Sequence, residues 1–108
     1  MPYVVVGDAI DLSCTLEGGY TGSGSSSQMY FTYTTSSTVP EVTLPEKYYQ
    51  LVDERQLRLL LPNATRTDGG FYCCYVGETY IAQVQVYIGR KYTRLNNFRW
   101  LQTISILF

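Results

Sequence analysis

Three cysteines, nine carboxylates and no histidine set the chemistry open to this chain of 108 residues. Without histidine the commonest general base and metal ligand is missing. No Ser-His or Cys-His pair can form, and three thiols alone do not complete a four-ligand zinc site. No glycine-rich phosphate loop precedes a helix, and the carboxylates scatter over turns and outward positions. The sequence therefore argues against an enzyme, and it implies no cofactor, no metal and no small-molecule substrate. The cysteines remain as the reactive groups: Cys14 alone, and Cys73 beside Cys74. Neighbouring residues of a strand point to opposite faces, so the last two cannot share one environment.

The elements that must position these residues read as strands. Ile10, Leu12, Cys14 and Leu16 alternate with Asp11, Ser13, Thr15 and Glu17. This period of two marks a half-buried strand with Cys14 on its inward side. A Gly/Ser-rich loop over 18–27 leads to Met29, Phe31 and Tyr33, which alternate with Tyr30 and Thr32. The polar stretch 34–47, with Pro40 and Pro45, reads as weak edge strands and turns. Tyr48–Val52 forms a short strand, and Leu57, Leu59 and Leu61 alternate in the next. The turn cluster Thr67-Asp68-Gly69-Gly70 precedes a strand from Phe71 to Val76, and Gly77-Glu78 turns it back into Thr79–Ile88. Forty-five per cent apolar residues and 11 tyrosines suit a packed, strand-rich core. Seven or eight short strands with regular turns predict an all-β antiparallel sandwich in one domain, residues 1–89.

The segment Asp68-Gly69-Gly70-Phe71-Tyr72-Cys73-Cys74 fits D-x-G-x-Y-x-C and resembles the F-strand signature of the immunoglobulin superfamily, in its variable or intermediate types. Leu59 and Leu61 stand nine and seven residues before Asp68, as that family's E-strand pair does, and Cys14 holds the B-strand position. The resemblance covers roughly residues 3–89 and implies an immunoglobulin-like β-sandwich. It implies a Cys14–Cys74 disulfide joining the sheets, with Tyr72 as the tyrosine of the E–F corner. A bulge would swap parity and make the pair Cys14–Cys73. Closing a loop of about 60 residues stabilises a fold by roughly 4 kcal/mol in the chain-entropy model. The family usually carries Trp on strand C, where this chain has Phe31. With one pair made, Cys73 is left over: it bridges to another chain, bonds a cysteine outside this fragment, or is a half-buried free thiol under a neighbouring loop or domain. The doubled cysteine is also similar to the amino-terminal immunoglobulin domain of interleukin-6-type cytokine receptors and their invertebrate relatives.

The resemblance implies an extracellular or cell-surface protein, and Asn63-Ala64-Thr65 adds an N-glycosylation sequon at Asn63. No signal peptide or bilayer-spanning run is visible, so the chain reads as a fragment whose membrane attachment would lie elsewhere in a longer protein. By parity, Tyr30, Phe71, Tyr75, Ile81 and Tyr87 gather on the outer face of the sheet that holds strands C, F and G, with Glu78 and Tyr80 in the adjoining F–G turn. Such a face predicts a protein partner: a ligand such as a cytokine, a counter-receptor, or a second copy of the chain. Receptor, adhesion module and secreted immune effector are the function classes in play. Residues 1–89 hold four basic against nine acidic residues, net −5, which argues against nucleic acid. Residues 90–108 carry four basic residues and no acid, then run apolar from Trp100 to Phe108. This tail is expected to lie outside the fold, as sequence foreign to the domain.

Overall fold

The computed structural model describes residues 3–17 and 28–89, together with the backbone of Thr103–Leu107. Two sheets pack face to face. The first runs in the order β1 (Tyr3–Val5), β8 (Thr79–Gly89), β7 (Gly70–Val76), β3 (Met29–Thr34), β4 (Val42–Thr43). The second runs β5 (Tyr49–Asp53), β6 (Gln56–Leu61), β2 (Ile10–Thr15), β9 (Thr103–Leu107). The architecture is the expected immunoglobulin-like all-β sandwich: β2, β3, β6, β7 and β8 stand where strands B, C, E, F and G were expected. Pairing is antiparallel throughout except at two edges, where β1 joins β8 and β9 joins β2 in parallel.

Alternation explains why these segments face inward as they do. Ile10, Leu12 and Cys14 of β2 are fully buried, as are Leu57 and Leu59 of β6, which stand opposite Cys14 and Leu12 in register. From the other sheet Phe31, Tyr72, Cys74, Val76 and Val86 complete the core. Cys14 and Cys74 are joined by a disulfide across the sandwich, with Cα atoms 6.5 Å apart. Phe31 pairs in register with Cys74, beside that bond.

Phe31 is smaller than the tryptophan usual at this place, and Tyr49 of the opposite sheet reaches across to it. The two rings meet edge to face at 5.9 Å. The Tyr49 hydroxyl accepts the Phe31 N–H at 2.9 Å and donates to the Leu44 carbonyl at 2.7 Å. Strand β4 pairs only Thr43 and Val42 with β3. Where its ladder ends, a side-chain oxygen from the other sheet supplies the partner that the Phe31 amide needs.

At the E–F corner the Tyr72 hydroxyl donates to the Asp68 carbonyl at 2.6 Å. A second phenol joins it. The Tyr33 ring lies 5.0 Å from that of Tyr72, and its hydroxyl is within hydrogen-bond reach of the Thr67 and Gly69 carbonyls. Burial pushes both phenols up, with the Asp68 carboxylate adding to the effect. Gly70 opens β7 at φ 149°, and a Cβ placed there would come within 2.6 Å of the Thr34 carbonyl oxygen. Only glycine fits that approach.

The expectation set residues 90–108 outside the fold, yet the backbone of Thr103–Leu107 pairs with β2 from Asp11 to Thr15. A run of mixed apolar and β-branched residues can complete an unpaired sheet edge. The Gly/Ser-rich loop at 18–27 and the remainder of the tail lie outside the described residues.

Candidate functional site

The outer face of the first sheet is built from transverse rows. Register places Tyr30 opposite Tyr75, Thr32 opposite Cys73 and Thr34 opposite Phe71. On the other side of β7, Gln85 stands opposite Phe71 and Gln83 opposite Cys73. Between Cys74 and Tyr75 the register with β8 shifts, so that Tyr75 faces Tyr80. The result is a row of three tyrosines at the end of the face nearest the Gly77-Glu78 turn. The Tyr30 and Tyr75 rings stack at 5.2 Å with 6° between planes, and Tyr80 meets Tyr75 edge-on at 5.8 Å. Tyr80 is 54% exposed. Glu78 is exposed in the turn beside it.

The bulge corrects one expectation. Ile81, placed on the outer face by simple alternation, is partly buried and packs against the core. The extra residue reverses parity along β8, which takes Ile81 inward and brings Tyr80 into the row. Tyr87 faces outward but stands at the other end of the sheet, in register with Tyr3 of β1 and away from the tyrosine row.

Below the row lies a residue that the sequence did not single out. Glu41, just before β4, accepts hydrogen bonds from the Thr32 hydroxyl at 2.5 Å and from the Tyr75 hydroxyl at 2.8 and 3.0 Å. The Thr32 bond, and then that of Tyr75, hold the Glu41 carboxyl below the usual range. The same contact pushes the Tyr75 phenol up to about 12. Glu41 has no ion-pair partner among the described residues. Nothing in a single sequence marks it, because it sits in a polar stretch whose fold depends on two proline-bounded turns.

Cys73 is free and buried beneath this face, 3% exposed, with Sγ 3.9 Å from the Gln83 side-chain oxygen. Burial pushes its thiol up, so little thiolate is present near neutrality. Phe71 is half-buried and forms one wall of an open recess of about 210 Å³ between β7 and the β3–β4 connection. Asn63 is exposed, with φ 55°, a left-handed conformation that asparagine tolerates.

The second sheet offers a different surface. On its outer side Arg58 holds Asp11 through two hydrogen bonds and touches Gln50. The β5 edge of this sheet also exposes Leu51 and Val52, whereas the first sheet shows aromatic rings, hydroxyls and one fixed anion. Among the described residues no three metal-binding side chains gather, and the Cys73 thiol has the Glu41 carboxylate as a neighbour, which adds to burial in raising it.

No family model and no curated protein matches this sequence. Solved structures share the fold at low identity. A ZIG-8 IG1 domain, solved as a homodimer, superposes with a TM-score of 0.54 at 15% identity, covering 83% of this chain and 78% of that one. An extracellular domain of the voltage-gated sodium channel β4 subunit, solved as parallel homodimers, gives 0.56 at 20% identity, covering 83% and 90%. Drosophila Semaphorin 2a contains a similar domain, with a TM-score of 0.53 at 20% identity, covering 85% of this chain and 14% of that one.

Proposed function

We propose that this chain is an extracellular protein-recognition module of the adhesion or receptor type, and that it binds its partner through the outer face of β3, β7 and β8. The observation that carries this reading is the row Tyr30–Tyr75–Tyr80, in which the Tyr75 ring contacts both others on an accessible sheet face. Tyrosine offers large contact area at small entropic cost and is enriched among interface hot spots. The Cys14–Cys74 disulfide agrees with an oxidising compartment. A glycan on Asn63 would sit at the E–F corner, at the opposite end of β7 from the tyrosine row, and leave that row free. Glu78 stands next to the row and extends it. Tyr87 contributes only to a footprint that reaches the β1 edge. The ZIG-8 and sodium channel β4 domains are described as pairing through protein contacts, which favours an adhesion-type partner. A cytokine ligand is the narrower form of the same proposal.

The test is a cell-binding assay by flow cytometry with the purified domain, wild type against a Tyr75→Ser, Tyr80→Ser double variant. The variant should keep its circular dichroism spectrum and melt cooperatively while its binding falls at least about tenfold. Undiminished binding by a folded variant removes the tyrosine row from the interface. If the double variant does not fold, Tyr80→Ser alone carries the test, because its side chain is mostly in solvent.

A further inference from the structure

The recess beside the tyrosine row has a chemistry of its own. Glu41 lines it together with Phe71, Thr34, Ser36, Val39 and Gln83. It therefore combines an ionised carboxylate, an aromatic ring, several hydroxyl and carbonyl oxygens, and an apolar patch. The carboxylate is fixed in advance by the hydroxyls of Thr32 and Tyr75. Among the described residues no cation lines it. The four basic residues of the described segments lie elsewhere. Lys47 sits over the Tyr48 ring, Arg55 donates to the Leu16 and Glu17 carbonyls, Arg58 holds Asp11 on the second sheet, and Arg66 is in the turn before β7.

We infer that this recess is the receptor for an arginine side chain of the partner, its guanidinium set against Glu41 and its flat face along Phe71. The inference rests on the outer face being the binding face and deepens that reading. A guanidinium offers five donors in a fixed plane and stacks on aromatic rings. The recess supplies acceptors and a ring, and its volume accommodates one side chain. Among the described residues the face that carries it holds Glu41 and Glu78 with no lysine or arginine. Pairing this face with itself about a two-fold axis would bring carboxylates together without a counter-charge. The partner is accordingly a different protein that presents arginine, not a second copy docked face to face.

The experiment is amide NMR of the isotope-labelled domain, titrated with acetyl-arginine-amide and, separately, with its neutral isostere acetyl-citrulline-amide. Arginine should give saturable shifts at Thr34, Glu41 and Phe71, with citrulline about tenfold weaker, the worth of one charge-assisted hydrogen bond. Glu41→Gln should weaken arginine by a similar factor and leave citrulline unchanged. Phe71→Leu, which keeps the charge, should also weaken arginine. Equal binding of arginine and citrulline, or arginine binding untouched by Glu41→Gln, overturns the inference. So does a wild-type domain that dimerises through this face by sedimentation. Cell binding that depends on Tyr75 and Tyr80 but not on Glu41 would sink the arginine site alone and leave the face standing.

Discussion

Removing one oxygen, in Tyr49→Phe, should cost more than its half-exposed position implies. The hydroxyl accepts the Phe31 N–H and donates to the Leu44 carbonyl. Phe31 is fully buried, and β4 is too short to offer its amide another acceptor. The phenylalanine ring keeps the edge-to-face contact and nearly all of the apolar burial, so the change isolates the polar bridge. A buried donor left without a partner costs about 1–3 kcal/mol. Taking about 2 kcal/mol, the melting temperature of a domain this size should fall by roughly 10 °C. Thermal and urea unfolding, followed by circular dichroism, measure it; the urea slope should not change, since the same surface is exposed. Tyr87→Phe is the control, because that hydroxyl lies on the exposed outer side and makes no hydrogen bond among the described contacts, so its effect should stay within about 0.5 kcal/mol. If both variants lose the same small amount, the Tyr49 hydroxyl does not bridge the sheets, and the account of how a phenylalanine serves in place of tryptophan fails with it.

Gly70→Ala should destabilise by at least about 2 kcal/mol, since it adds a backbone clash to a positive φ; Gly77→Ala, with φ 58° and open space around it, should cost about 1 kcal/mol. Parallel melts of the two variants check the order. Cys14→Ala should cost about 2–5 kcal/mol, and non-reducing peptide mapping of secreted wild-type protein should recover Cys14 linked to Cys74 with Cys73 free; a link to Cys73 would contradict the observed register. Alkali should unfold the domain. Tyr33, Tyr49 and Tyr72 are pushed above the ordinary 10.0 chiefly by burial, and Tyr75 to about 12 chiefly by Glu41. Groups raised in the folded state contribute stability that is whole below pH 10 and is lost as pH rises through the folded values. Phenolate absorbance should therefore climb in step with the loss of circular dichroism; full ionisation of the tyrosines near pH 10 in an intact fold would refute this.

Much of the sandwich was legible because alternation and the Asp68–Cys74 motif are local signals. Period two placed Cys14, Phe31 and Leu59 on inward faces, and the motif placed Tyr72 on its corner. Features that depend on two distant segments were not legible. The bulge that turns Ile81 inward is a property of the β7–β8 pair, and no residue type in Thr79–Ile88 announces it. Tyr33 shares the E–F corner only because β3 lies beside β7 in one particular register. Glu41 reaches its two hydroxyl donors across a turn whose course the sequence does not dictate. The same limit applies to Thr103–Leu107: its composition is that of a strand, but its partner is β2, some ninety residues away.

The sheet that carries the tyrosine row is bounded by strands of three and two residues, β1 and β4. β1 covers only Tyr87–Gly89 of the eleven-residue β8, so among the described residues the rim of β8 from Thr79 to Val86 has no strand beside it and offers an incoming chain a backbone template. A partner bound as proposed would therefore have two routes onto this sheet, across the side chains of its face or along the rim of β8. The first route reads residue identity, where a single substitution can redirect it; the second reads main-chain pairing that any extended peptide could satisfy.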